Sequence, residues 1–175
     1  PVPNPVLSIR RPKKTEPRNR RFKDTELNLL IKGNRTSEVM RTLIQIALET
    51  GMRKSEIIGI LPDHLKNNTL FIPVAKTKPR TIPLTKKAVG LIKNASLPFN
   101  VKADYVNKQF AKLCKHYKIK DAKFHDIRKQ SLMDLMVDNK LSVGETMVIS
   151  GHSDPRMLLT VYNNLKVEDI SKKLN

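Results

Sequence analysis

A chain of 175 residues holds one ordinary domain and a short extension, and 39% apolar residues, with 5% aromatics and no Trp, suffice for a core of Leu, Ile, Val and Met. A single cysteine, Cys114, excludes an internal disulfide, no paired Cys/His spacing offers zinc a site, and no apolar run approaches the roughly 18 residues that span a bilayer, so the expectation is a cytoplasmic chain without metal, membrane span or secretion signal. The formal charge of +18, from 34 Lys and Arg against 16 Asp and Glu, points to a polyanionic partner, nucleic acid first.

Residues 1–22 carry Pro1, Pro3, Pro5, Pro12 and Pro17 among basic side chains and read as an extended interdomain linker, with residues 23–175 as the folded domain. The opening on Pro1 suggests an excised piece whose N-terminal neighbour is missing. Asp24 or Thr25 caps a short helix ending at Gly33, and Thr36 or Ser37 caps a longer one, with Met40, Leu43, Ile44, Ala47 and Leu48 on one face, which Gly51 stops. A short helix follows over about 55–60. Residues 69–74 and 80–84 are β-prone runs about the turn-like AKTKP, and Pro73 and Pro83 make that hairpin an edge. Helical period returns over 85–94, over 104–117 with Val106, Phe110, Leu113, Cys114 and Tyr117 as its buried stripe, and over 126–137. Ser142 and Glu145 form a capping box, and Asp154 before Pro155 caps another helix. The expected class is α+β, mainly helical with a small hairpin or edge sheet.

Four separated pieces carry chemistry: TGMRKSE at 50–56, AKTKPRTIPL at 75–84, FHDIR at 124–128 and SGHSDPRMLLTVY at 150–162. In that order and at those separations they resemble the catalytic domain of the tyrosine recombinases, the lambda-integrase or phage integrase family, over essentially the whole chain. The resemblance implies that Arg53 is the first catalytic arginine, Lys76 the hairpin lysine, His125 and Arg128 the HxxR pair, His152 the late histidine and Tyr162 the nucleophile. Glu56 matches the acidic residue of the RxSE motif, a support behind the catalytic groups. Lys78 lies two residues from Lys76, so which of the two reaches the leaving group stays open, and Lys78, Arg80, Arg20 and Arg21 are candidate DNA contacts.

The residue types suit the reaction that the resemblance implies. Passing a phosphodiester to a tyrosine builds negative charge on the non-bridging oxygens, and guanidiniums clamp two such oxygens while staying charged. A His and an Arg three apart share a helical face. Lysine on a hairpin can protonate the leaving 5′-oxygen, and a phenol of pKa near ~10 gains from the same cations. Neither ATP nor any other cofactor is implied, because the phosphotyrosine retains the energy of the broken bond.

The implied activity is site-specific DNA recombination or integration through a 3′-phosphotyrosine, in a prokaryotic cell or encoded by a phage or mobile element. The implied partners are double-stranded DNA, a homotetramer built on it through the C-terminal tail, and accessory DNA-bending proteins. That tail, residues 163–175, places Val167, Ile170 and Leu174 at helical spacing, and docking in trans or in cis both fit one stripe. Two other readings use part of the pattern: a type IB topoisomerase, which shares the chemistry, and a non-catalytic helix-turn-helix regulator built on 141–164.

Overall fold

The structure, a computed structural model, describes residues 20–73 and 78–162 together with Ser171. Lys76 of the hairpin turn, residues 1–19 of the expected linker and the Val167, Ile170 and Leu174 stripe lie outside the described residues. Within them the fold is mainly helical with one small antiparallel sheet.

Helix α1 (Asp24–Lys32) is capped one residue earlier than the first expected cap, Asp24: Lys23 is its N-cap, and Glu26 reaches back to accept the Lys23 N–H at 2.9 Å. The same device opens α3 (Lys54–Ile58), where Glu56 accepts the Arg53 N–H at 2.9 Å, and α6 (Phe124–Val137), where Asp126 accepts the Lys123 N–H at 2.8 Å. Helix α2 (Glu38–Thr50) is capped by Ser37, whose hydroxyl accepts from the Met40 N–H, and ends on Gly51 in the left-handed conformation. Thr85 caps α4 (Lys86–Lys93), and α5 (Ala103–His116) buries Val106, Phe110, Leu113 and Cys114, with Tyr117 partly buried just beyond its end.

The expected hairpin is present as β2 (Thr69–Ile72) and β3 (Arg80–Pro83), with Leu70 opposite Ile82 in the ladder. A further two-residue strand, β1 (Leu65–Lys66), adds to the outer edge of β2 after one turn of 3-10 helix at Pro62–His64. Both faces of the hairpin obey a period of two: Leu70, Ile72 and Ile82 are buried while Thr69, Phe71 and Thr81 are exposed.

Helices α2 and α6 form the centre. Leu43, Ile44, Ile46 and Ala47 of α2 are at most 1% exposed, and α6 is buried nearly all round its length, so it has no clear amphipathic stripe. Helix α2 packs on α1, α3, α4, α5 and α6. Phe110 of α5 joins the layers, edge-to-face with Phe22 at 6.4 Å and with Phe124 at 5.6 Å between ring centroids. Phe22 thus sits in the core, and Arg20 beside it lies over its ring and pairs with Glu26 at 2.6 Å.

On the far side of α6 lie α7 (Val143–Ser150) and α8 (Pro155–Tyr162), with α7 also touching β3. The expected caps are formed: Ser142 and Glu145 exchange hydrogen bonds, and Asp154 accepts the Arg156 N–H at 2.9 Å. No helix among the described residues is long and apolar enough to cross a membrane.

Candidate active site

Two left-handed glycines and the start of one helix bring the motif residues together. Arg53 is the N-cap of α3, reached through the left-handed Gly51; Arg128 and His125 stand one turn apart at the start of α6; and His152 follows the left-handed Gly151 that ends α7. The C-terminal carbonyls of α7, where the helix dipole is negative, collect the cations. The Ser150 carbonyl accepts from Arg128 at 3.0 Å, from Arg80 at 3.3 Å and from Arg53 at 3.5 Å, and the Gly151 carbonyl from Arg53 at 3.4 Å. Arg128 also donates to the Gly51 carbonyl and lies 3.4 Å from His152 Nε2.

One buried carboxylate holds this cluster. Glu56, whose side chain is 1% exposed, accepts from Arg80 through both oxygens at 2.9 and 3.0 Å and from the Arg53 side chain at 3.0 Å. Burial pushes its pKa up, but hydrogen bonds from Arg80 and Arg53 and the charge of Arg80 prevail, and the net shift is below the usual carboxylate value. Glu56 is therefore ionised at neutral pH, and three guanidiniums face one negative charge. The surplus makes the site a receptor for an anion.

The same surplus governs the histidines. Partial burial, then Arg128, Arg53, Arg80 and His125, drive the His152 pKa down to about 4. His125 is the exposed member, and crowding by surrounding protein followed by Arg128, Lys129 and Arg53 lowers its pKa against the opposing pull of Asp126. Arg128 itself falls to about 10, through burial first and then Arg53 and Arg80, with Glu56 opposing, and so keeps its charge at neutral pH. Both imidazoles are thus neutral near pH 7 unless an anion draws a proton in.

Beside His125 and Arg128 a cleft of about 510 Å³ opens between α2, α3, α5 and α6, with Met52 and Phe110 in its floor. Lys54 crosses its rim, donating to Asn107 at 2.7 Å and to the Ala103 carbonyl at 3.0 Å. No group of three or more His, Cys, Asp or Glu among the described residues is placed to hold a metal ion.

Arg53, Glu56, Arg128, His152 and, more openly, His125 therefore converge. Tyr162 is the last residue of α8, the helix that begins three residues after His152. Lys78 is exposed beside β3. Arg80, expected at the DNA surface, points inward instead: it donates to Glu56 and to the Ile149 and Ser150 carbonyls and fills the space where a Gly151 Cβ would stand, 2.7 Å from its Cζ. The signal was available, since strand period two puts Arg80 on the face of the buried Ile82. Arg20 is engaged with Glu26 and the Lys120 carbonyl, and Arg21 is half-buried. The α7–α8 turn that suggested a helix-turn-helix is committed to binding the arginines.

Comparison with known proteins gives a consistent result. The Phage integrase family model matches residues 20–98. The shufflon-specific DNA recombinase of Escherichia coli is 30% identical over 183 residues, which cover 98% of this chain and 47% of that protein. A Haemophilus influenzae protein of the integrase/recombinase kind is 28% identical and is spanned over 62% of its length, so the chain covers about half of such relatives. Among solved structures, a lambda integrase dimer bound to a COC′ core site superposes with a TM-score of 0.74 at 16% identity, covering 91% of this chain and 52% of that one. The catalytic domain of bacteriophage HP1 integrase gives 0.67 at 18% identity, covering 88% of this chain and 94% of that one, and at such identities the likeness is one of fold. A shared fold, relatives of one kind and a common set of motifs agree: the chain matches the phage integrase family model over residues 20–98, is similar to integrases and recombinases along nearly its whole length, and has the integrase catalytic-domain fold.

Proposed function

We propose that this chain is the catalytic part of a site-specific DNA recombinase that cleaves and rejoins strands through a 3′-phosphotyrosine on Tyr162. The observation that carries the reading is the cluster of Arg53, Arg80 and Arg128 with His125 and His152 around the single carboxylate of Glu56. A phosphodiester entering it would be met by Arg53 and Arg128, which charge and geometry suit to non-bridging oxygens. His152 and His125, neutral near pH 7, would donate further hydrogen bonds as charge grows on those oxygens.

The phenol oxygen of Tyr162 attacks phosphorus in line, its proton passing to a neutral histidine or to water. The bond from phosphorus to the 5′-oxygen breaks, and that oxygen takes a proton from Lys76. Rejoining is the reverse, with the 5′-hydroxyl attacking the phosphotyrosine. Residues 1–19 would join an N-terminal DNA-binding domain to this catalytic domain, which begins before the expected boundary at residue 23 because Phe22 is part of its core, and the two domains would together close around a duplex. Assembly as a tetramer through the tail, help from DNA-bending proteins and a cytoplasmic setting belong to the same proposal. Support for duplex DNA as the partner comes from the +18 charge and from the relatives solved on DNA.

The decisive experiment is covalent capture on a nicked suicide duplex by the full-length protein. Wild type is expected to yield a protein–DNA adduct with a free 5′-hydroxyl, and Tyr162→Phe to bind the duplex without forming one. An adduct retained by Tyr162→Phe overturns the assignment. Lys76 is tested separately: a bridging 5′-sulfur needs no proton to leave, so Lys76→Ala, slow on the oxygen substrate, is expected to cleave the sulfur substrate at a near-normal rate. Rescue of Lys78→Ala in its place moves the role to Lys78.

A further inference from the structure

Ser150 is fully buried as the last residue of α7, and its Oγ lies 2.8 Å from His152 Nδ1. Gly151 between them is left-handed at φ 68°, and the chain reversal it makes lets side chains two residues apart meet. On its other edge the imidazole presents Nε2 to Arg128 Nη2 at 3.4 Å. A guanidinium only donates, so here Nε2 accepts, the ring proton is assigned to Nδ1, and Ser150 Oγ accepts it.

A phosphate oxygen at Nε2 demands the reverse arrangement. The ring must then donate from Nε2, either as the other neutral tautomer, with bare Nδ1, or as imidazolium, with both nitrogens protonated. A hydroxyl serves Nδ1 in every case, accepting from Nδ1–H in two of the states and donating to bare Nδ1 in the third. A carboxylate would bind the proton at Nδ1 and favour the cation, and a backbone carbonyl could only accept.

We propose that Ser150 is a positioning residue, whose hydroxyl holds the His152 ring in line with Arg128 and follows the ring proton as phosphate binds and reacts. The proposal rests on reading His152 as a phosphate contact. The groups facing that ring are Arg128 and His125 from α6, Arg53 at the start of α3 and Arg80 from β3, with Glu56 behind the last two. All but Glu56 resist the imidazolium, so a hydrogen bond that follows the proton has more to decide here than in an ordinary setting. Ser150 is not itself a catalytic residue: its hydroxyl touches His152 and its carbonyl the arginines.

Nitrogen-15 imidazole spectra of the 175-residue chain test this without DNA, with His152→Gln assigning the signal. Wild type is expected to show His152 protonated at Nδ1 near pH 7. In Ser150→Ala the tautomer balance shifts and the titration midpoint falls, because the imidazolium loses a charge-assisted acceptor, whereas Ser150→Thr keeps both properties. On a duplex that wild type cleaves, Ser150→Ala is expected to slow adduct formation by about tenfold at saturating DNA, the worth of one hydrogen bond, with affinity nearly unchanged. If Ser150→Ala leaves the tautomer and midpoint as in wild type, the proposal is overturned. Should the extra methyl of Ser150→Thr prevent folding, the alanine variant alone decides. If wild type forms no Tyr162 adduct on any DNA, the recombinase reading fails while the ring spectra still judge Ser150.

Discussion

Arg128→Lys is expected to slow strand cleavage by about 10²–10³-fold at saturating DNA while changing duplex affinity far less, although the formal charge is conserved. Arg128 is 4% exposed, and its fork spans two backbone carbonyls, of Gly51 and Ser150, and the Nε2 of His152. An ammonium is a point donor on a flexible stem and cannot bridge these partners at fixed geometry. It also titrates: burial and the neighbouring Arg53 and Arg80 already draw the guanidinium down to about 10, and a lysine begins lower and would lose charge within the working pH range. Cleavage by Arg128→Lys should therefore improve as pH falls, opposite to what a phenol nucleophile alone would give. Single-turnover adduct formation against pH, with binding measured by anisotropy, checks both parts. A variant within tenfold of wild type at pH 7.5 would remove Arg128 from the reacting phosphate.

The fold was legible in the chain where local chemistry is strong. Ser37, Thr85, Ser142 and Asp154 announce four helix starts through their own oxygens, and Gly51 announces a stop. Starts made by a reaching carboxylate were read one or two residues late, because Lys23, Arg53 and Lys123 are not capping residue types and the cap is supplied three residues on. The strand Leu65–Lys66 is too short to show alternation. Within the site, sequence order named the residues that meet but not what holds them. The Ser150 carbonyl is a backbone atom and invisible to any motif, and Ser150 meets His152 only through the left-handed Gly151. Arg80 was read by its charge and hairpin position, when its parity with Ile82 decides its direction.

The inward turn of Arg80 has a large consequence for stability. Arg80→Met is expected to destabilise the chain by about 3–5 kcal/mol, because it leaves Glu56 buried with half its compensation gone. Glu56→Gln should cost a similar amount for the opposite reason, since it strands Arg53, Arg80 and Arg128 together without a counter-charge and turns one of the two oxygens that accept from Arg80 and Arg53 into an amide donor. The two losses share one interaction, so Glu56→Gln/Arg80→Met should be well above the sum of the singles in stability, and urea unfolding of the four proteins measures the coupling. The pH dependence has a fixed sign. The folded pKa of Glu56 lies below the ordinary value near 4.5, so its contribution is present above that value and is lost as pH falls through the folded one. Wild type should therefore lose stability on acidification below about pH 5 more steeply than Glu56→Gln, over and above any slope the histidines give both proteins. Additive single losses, or parallel acid limbs in the two proteins, would mean that the β3 hairpin and the arginine cluster are held together by packing alone. The catalytic consequence is separable from stability. Arg80 ties the strand that follows the Lys76 turn to the helix end that gathers Arg53, Arg128 and His152, so cutting the tie should slow cleavage even where the variant remains fully folded.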